Sequence, residues 1–347
     1  MSDSHGQALA PPTLDRVCPL CRVATRERYR GIVAEETGVR FAVDACPDCG
    51  HGLTRPVPDD LAPYYDSGYY GRRHGATGRF CNRRRIRLLE RHGEASGRSL
   101  LDFGSGDGGF LRAARDRGWS CQGVERDRRP ATDGPPVASS IDDLDVRAFD
   151  RVTFWHVLEH LEDPVGVLSD MRRRIAPRGL VLAAVPNFAS WQSRLTGASW
   201  LHLDIPRHLH HFTPESIAKT FEAAGFVVDR ISFGELEYDV IGWSQSLLNR
   251  CLRGRNEFFK VTSGRPLNGS TSHQRGLAPR SSEVPVPFGE TSTGGRLDTL
   301  RTAIQVTAGL ALSAIAIAPA WIESKVGRGG TMIVAARPSE ASATRHA

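Results

Sequence analysis

The sequence predicts an α/β protein, in which a doubly wound domain follows a small cysteine-bearing module and carries a helical insert before its last strand. Three observations carry that reading. Residues 80–240 alternate helical and strand patterns, as a sheet covered by helices on both faces requires. Leu100 to Asp127, LLDFGSGDGGFLRAARDRGWSCQGVERD, runs as strand, glycine-rich turn, helix and second strand. Ahead of both, residues 17–57 hold two CxxC pairs.

At 347 residues the chain can bury one large core and a small one. Its net charge of +6 permits an anionic partner without requiring one. The opening MSDSHGQALAPPTLD has no apolar run behind a basic start, so residues 1–16 read as a disordered lead and not as a signal peptide. A cytoplasmic, reducing setting is the resulting expectation. There the seven cysteines serve as metal ligands or buried thiols, not as a disulfide framework.

Taken in order, Cys18-x2-Cys21, 24 residues, then Cys46-x2-Cys49 is the spacing of a four-thiolate zinc site built from two tight turns, which Pro19, Pro47 and Gly50 favour. About 40 residues cannot build a core of their own, so a structural Zn2+ is expected to supply the folding energy of this zinc-ribbon-like module. Four sulfurs leave no position open for substrate. Helices are predicted over 80–93, 108–118 and 164–176. Strands are predicted at Ser99–Phe103, Cys121–Glu125, Asp150–Phe154, Leu180–Val185 and Val227–Phe233, each a short run rich in β-branched or aromatic residues. Residues 241–327 form the insert: a helix, a loop over 261–297 rich in Gly, Ser, Thr and Pro and expected to be flexible, and an apolar helix over 302–322. Thr331–Ala336 closes the domain as its last strand.

The glycine turn admits two readings. Gly104-x-Gly106-x-x-Gly109 with Glu125 downstream satisfies a dinucleotide fingerprint, which would make this an NAD-dependent oxidoreductase. Asp102-x-Gly104-x-Gly106-x-Gly108 puts a carboxylate at the strand's end instead. That carboxylate suits the cationic amino-acid end of a cofactor and repels a pyrophosphate. Glu125, at the tip of the next strand, can accept from both hydroxyls of a ribose.

LLDFGSGDGGFL, GVERD, FDRVTFWHVLEHLEDP, MRRRIAPRGLVLAAVPN and HHFTPESIAKTFEAAGF, in this order, resemble the class I S-adenosylmethionine-dependent methyltransferases over roughly residues 80–236 and the last strand. Some branches of that superfamily, sugar C-methyltransferases among them, also carry N-terminal cysteine pairs. The resemblance implies a Rossmann-like seven-stranded sheet with the last strand antiparallel, made of 80–240 plus 328–337. It implies that Asp102, Gly104, Ser105 and Gly106 contact the methionine end of S-adenosyl-L-methionine and that Glu125 holds the ribose, with Arg126 beside the adenine. Ser140 and Ile141 stand where adenine contacts are expected, Ser140 replacing an Asp common in relatives. Trp155 and His156 are implied beneath the methionine portion.

Methyl transfer from a sulfonium is an in-line displacement on an activated donor, so the protein aligns the acceptor and, where needed, takes its proton. Two clusters qualify for that work. WHVLEHLEDP places His156, Glu159 and His160 at i, i+3 and i+4. Ubiquinone-pathway O-methyltransferases carry a similar segment, with a Glu at the His156 position, that holds a divalent cation; His156 makes a hard-cation site poorer here. General base chemistry by His156 or His160, loop bracing and metal binding all stay open. The second cluster, HLDIPRHLHHFTPES, brings His208, His211 and Arg207 to the loop before a helix capped by Thr213 and begun by Pro214. His208 or His211 is expected to position or deprotonate a hydroxyl-bearing or anionic acceptor.

The arginine-rich 83–94 reads as a packed helix with a solvated basic face, with RNA contact as the alternative. VTFWHVLEHL lacks the Asn-Pro-Pro-aromatic motif of base amino methylases, and no RNA-binding module is legible, so nucleic acid is not the expected partner. TAIQVTAGLALSAIAIAPAWI, residues 302–322, is almost long enough to span a bilayer, yet the strands on either side of it belong to one sheet. It is expected to be a cap over substrate or a helix at a membrane surface, the latter placing the protein peripherally on the inner face. Cys81, Cys121 and Cys251 read as unpaired structural thiols, and Trp191 and Trp200 as loop or cap packing. The expected function is methyl transfer to a small-molecule, sugar or lipid-linked acceptor, with O-methylation favoured. A non-catalytic zinc-module interaction protein is the remaining alternative.

Overall fold

The computed structural model describes residues 16–34, 36–65, 77–91, 98–126, 134–144, 148–252, 256–263 and 294–340, with only the backbone of 294–299. The chain opens with three antiparallel strands, β1 (Arg26–Val33), β2 (Arg40–Ala45) and β3 (Gly52–Arg55). The larger domain follows: α1 (Gly78–Arg91), β4 (Ser99–Phe103), α2 (Gly109–Arg115), β5 (Ser120–Val124), β6 (Val137–Ala138), β7 (Phe149–Trp155), α3 (Pro164–Arg172), β8 (Ile175–Pro186), α4 (Trp191–Thr196), β9 (His210–His211), α5 (Pro214–Ala223) and β10 (Phe226–Phe233). Helices α6 (Leu236–Cys251), α7 (Glu257–Ser263) and α8 (Gly294–Lys325) precede β11 (Thr331–Pro338).

Seven strands form one sheet in the order β10-β11-β8-β7-β4-β5-β6. Strands β4 to β8 pair in parallel, and β11 runs antiparallel to both β8 and β10. Alternation along the strands builds a core on each face, since successive side chains point to opposite sides. Leu101, Val152, Phe154 and Val181 meet Leu168 and Met171 of α3 and Ile217 and Phe221 of α5. Leu100, Leu180 and Leu182 meet Ile86 and Leu89 of α1 and Phe110 and Leu111 of α2. Each such buried side chain contributes about 1.5–3 kcal/mol, so the two cores hold the sheet's C-terminal edge as a rigid platform. The start signal at Thr213 is realised in full: its hydroxyl accepts from the Ser216 amide, and the Ser216 hydroxyl accepts from the Thr213 amide.

Several boundaries differ from those the sequence predicts. Strand β8 begins at Ile175, five residues early, and β7 runs one residue further at each end than predicted, over Phe149–Trp155. The insert's first helix starts at Leu236 and breaks after Cys251, with α7 resuming at Glu257. Of the predicted flexible loop 261–297, residues 264–293 lie outside the described residues, while its two ends are helical. The predicted disordered lead lies outside them except for Arg16. The cysteine module is not self-contained either. Its sheet is completed by β9, which pairs with β3 through Gly52↔His211 and Leu53↔His210.

Candidate active site and cysteine cluster

The C-terminal edge of the sheet carries the glycine turn. Gly104, Gly106 and Gly108 all have positive φ, +73°, +56° and +70°. They differ in what surrounds them. A Cβ on Gly104 would lie 2.5 Å from Val157 Cγ2, whereas a Cβ on Gly106 would meet nothing within 4 Å. The turn is thus pinned by Val157 beneath Gly104 and open above Gly106. Glu125, at the tip of β5, accepts from the Gly106 amide at 2.8 Å, which sets its carboxylate beside that opening. Asp102 is buried and accepts from Thr153 Oγ1 at 2.7 Å. The buried Ser105 Oγ has no hydrogen-bond partner among the described residues. An open ledge, an acidic strand tip and an orphaned hydroxyl fit the ribose and amino-acid ends of S-adenosylmethionine. Arg126 is exposed beside them. Ser140, also exposed, caps a short turn by accepting from Asp142 at 3.2 Å, and Ile141 packs on the core below. Trp155 is buried against Phe110, with the Arg85 guanidinium 4.9 Å over its ring.

His156 follows β7 with a left-handed backbone, φ +57°, a strained conformation for a side chain of this size. Its Nε2 lies 2.6 Å from a Glu235 oxygen and its Nδ1 3.5 Å from Glu159, while Tyr238 stacks on the ring at 4.3 Å. Burial alone would lower the basicity of His156, but the Glu235 and Glu159 carboxylates raise it and favour the imidazolium. Burial likewise opposes ionisation of Glu235, yet Arg84 and His156 hold its carboxyl well below the usual range. Arg84 also pairs with Glu237 at 2.9 Å, so the arginine-rich helix turns part of its charge inward.

His160 and His208 form a different arrangement. Nδ1 of His160 lies 2.9 Å from the Arg207 carbonyl and 3.2 Å from the Tyr65 hydroxyl, and Nδ1 of His208 lies 2.9 Å from the His202 carbonyl. A carbonyl only accepts, so Nδ1 carries the proton in each neutral ring and Nε2 is the basic atom. The two rings meet edge to face at 4.5 Å, and one ring nitrogen of each lies within 4.8 Å of the other and of a Glu159 oxygen. For buried Glu159 desolvation opposes charge, but hydrogen bonding from His156 and the fields of His160 and His208 hold it at about 2. Two imidazoles and a carboxylate at this spacing can act on a proton or ligate a divalent cation.

His211 does not join that group. It is buried in β9, its Nε2 3.0 Å from Thr54 Oγ1 and its ring 5.3 Å from Phe188, and burial holds its basicity well below the ordinary value. Arg207 is committed to Asp204 and, at 2.8 Å, to Glu36. The structure therefore brings together His156, Glu159, His160 and His208 and sets His211 apart in the small sheet.

Sequence reasoning missed Glu235, Tyr238 and Thr153. Glu235 had a signal, because it stands two residues past β10, at the strand-end position where site residues gather.

The four cysteines predicted as a cluster meet. Cys18, Cys21, Cys46 and Cys49 each offer a sulfur within 4.8 Å of the others, and Sγ of Cys18 and Cys49 are 3.9 Å apart. A tetrahedron with metal–sulfur bonds of ~2.3 Å has edges of ~3.8 Å, so this spacing suits a bound ion and not a disulfide. Lys219 of α5 sits 3.5 Å from Cys21, and Thr213 bonds the Cys49 carbonyl at 2.7 Å, docking the cluster on the large domain.

A sheet with a reversed last strand, whose glycine turn is flanked by acidic strand tips, is the arrangement that the resemblance to class I methyltransferases implies. Comparison with known proteins gives the same class: residues 72–231 match the family model described as a methyltransferase domain. These residues form a methyltransferase domain, and the similarity supports S-adenosylmethionine as the methyl donor. The chain is 24% identical over 168 residues to the ubiquinone biosynthesis O-methyltransferase of Chromobacterium violaceum, covering 43% of this chain and 72% of that one. To the Cereibacter sphaeroides protein of the same name it is 28% identical over 110 residues, 30% of this chain and 44% of that relative. The chain thus spans less than half the length of the second relative. Among solved structures, a SAM dependent methyltransferase from Archaeoglobus fulgidus aligns over 75% of this chain and 94% of its own, at 18% identity and a TM-score of 0.42.

Proposed function

We propose that this methyltransferase O-methylates a hydroxyl-bearing small molecule, sugar or lipid-linked acceptor, with His160 or His208 taking the hydroxyl proton. One observation carries the reading: both rings donate Nδ1–H to backbone carbonyls, which leaves Nε2 of each as the proton acceptor, in rings that cluster with the Glu159 carboxylate. Bound S-adenosylmethionine supplies a methyl on a sulfonium sulfur. The acceptor oxygen bonds that carbon as the sulfur–carbon bond breaks with its electron pair on sulfur, and the imidazole keeps the proton until solvent removes it. His156, held between two carboxylates, positions the strand end in this scheme. Relatives named O-methyltransferases support the same chemistry. The cofactor assignment rests on Glu125, Gly104, Gly106, Asp102 and Ser105, with Arg126, Ser140 and Ile141 lining the adenine side.

The Glu159–His160–His208 spacing supports a second reading, in which a divalent cation orients the acceptor oxygen. A Zn2+ at the four cysteines is proposed as structural, because every position on it is filled by sulfur. The test is transfer of labelled methyl from S-adenosylmethionine to a panel of phenols, sugars and isoprenoid-linked hydroxyl compounds, with and without chelator. An acid-stable methyl ether, formed by the wild type and lost in His160→Ala/His208→Ala with cofactor binding intact, supports the reading. Labelled nitrogen or carbon products would overturn it.

A further inference from the structure

Helix α8 turns small and polar residues inward, with Ala316 and Ala320 packed on Trp243 of α6, and large aliphatic residues outward. Gln305 and Glu323 face inward with 1% and 0% exposure, Ser313 bonds Ser244 of α6 at 3.0 Å, and Gly309 lies so close to Phe258 of α7 that a Cβ would meet the ring at 2.4 Å. The opposite face carries Leu300, Ile304, Leu310, Ile315, Ile317 and Trp321, all between 52% and 69% exposed. Within Leu300–Lys325 an 18-residue stretch has a mean hydropathy of 1.7, and no charged residue lies between Arg301 and Glu323. Length and composition would let these 26 residues cross a bilayer, about 39 Å as a helix. The fold forbids it, because Phe233 of β10 and Met332 of β11 are paired neighbours on the two sides of the insert. A single crossing would separate them, and α6 and α7 carry too many charged and polar groups to return the chain.

We propose that the outer face of α8 docks the protein on an anionic phospholipid bilayer, lying flat in its interface. Small and polar groups inward and large aliphatic groups outward are the order expected where the outer solvent is lipid. Exposed cations mark both ends of the stripe: Arg301, which also pairs with Glu257 of α7 at 3.4 Å, and Lys325, whose Nζ lies 5.8 Å from the Trp321 ring. A tryptophan beside a lysine matches the headgroup boundary, and each cation there adds about 1 kcal/mol on an anionic surface. Charge also argues against a second copy of the chain as the occupant. Pairing two α8 helices in parallel sets Lys325 against Lys325, antiparallel pairing offers Lys325 no acid of the helix, and the only acid among the described side chains of the helix, Glu323, is buried. This surface does not depend on the identity of the acceptor.

The test is flotation of the full-length, zinc-loaded protein with vesicles of phosphatidylcholine alone and of phosphatidylcholine with phosphatidylglycerol. Binding at least tenfold stronger to the phosphatidylglycerol vesicles, weakened by salt and lost in Leu310→Glu/Ile315→Glu, is the expected result. Unchanged S-adenosylhomocysteine binding certifies that the variant is folded. Quenching of wild-type fluorescence by brominated acyl chains, diminished in Trp321→Phe, reads the same contact without a charge in the stripe. Wild type that stays with the soluble fraction, equal binding by the variant, or no preference for phosphatidylglycerol overturns the proposal. So does a dimer in solution that the variant dissolves, which would give the stripe to a second copy.

Discussion

Thr54 in β3 donates its hydroxyl to the carbonyl of His208 at 2.6 Å, across 154 residues of sequence. The cysteine module and the loop bearing a candidate base are therefore one mechanical unit. Beside this bond His51 Nε2 meets His210 Nδ1 at 2.9 Å, and β9 itself is a strand of the module's sheet.

Metal removal should consequently reach the acceptor side. The purified protein is expected to release one zinc per chain when its thiols are titrated with a mercurial. Cys46→Ser should lower the melting temperature and cut kcat more than tenfold, while S-adenosylhomocysteine binding changes little. Loss of cofactor binding in step with zinc would show that the module and the large domain unfold together.

Glu125→Ala should weaken S-adenosylhomocysteine at least tenfold, about 1.4 kcal/mol, in calorimetric titration. The melting temperature should hardly move, because the carboxylate is half-exposed and its recorded partner is the Gly106 amide. NAD binding by the wild type would contradict the cofactor assignment.

Two glycines of the turn should respond differently to alanine. Gly106→Ala meets open space and costs only the left-handed backbone strain, about 1–2 kcal/mol. Gly104→Ala carries the same strain and drives a methyl into Val157, so its loss of stability in denaturant titration should be the larger by ~1 kcal/mol or more.

His208→Ala should lower kcat about 10²–10⁴-fold under the base reading. If a cation occupies the cluster instead, added Mn2+ or Zn2+ should raise wild-type activity and fail to raise that of Glu159→Gln.

Glu323 gives the fold a pH dependence. Burial pushes its carboxyl from 4.5 up to about 7, and its negative charge in turn helps raise buried Asp239. A raised folded-state value means that the native state binds the extra proton. Stability is then full below pH 4.5 as far as this group is concerned and falls as pH rises to 7, by on the order of 1–3 kcal/mol. Depressed Glu159 and Glu235 act oppositely, contributing stability above their unfolded values that is lost in acid. Glu323→Gln should flatten the slope of stability between pH 5 and 7, measured by denaturant titration.

Much of the candidate cofactor ledge is legible in the sequence, because Asp102, the glycines and Glu125 belong to one continuous strand, turn, helix and strand, where local geometry is set by local residues. The cysteine cluster is legible for the same reason, since each CxxC fixes two sulfurs on a single turn. His156, Glu159 and His160 share a segment, so their proximity follows from spacing, but their separate duties do not. His156 becomes the inward ion pair only because Glu235, 79 residues later, meets it at 2.6 Å. His208 and His211 are three residues apart and read alike; one faces Glu159 and the other is consumed by β9. The apolar character of α8 is plain in the sequence, whereas the direction of its apolar face is not, because α6 and α7 selected the polar side. The sequence by itself determined the main helices and strands of the large domain, the glycine turn and the thiol set, all governed by neighbours along the chain. The tertiary structure decided which histidines gather at Glu159 and which face of α8 meets solvent, since burial and partners far away in sequence set both.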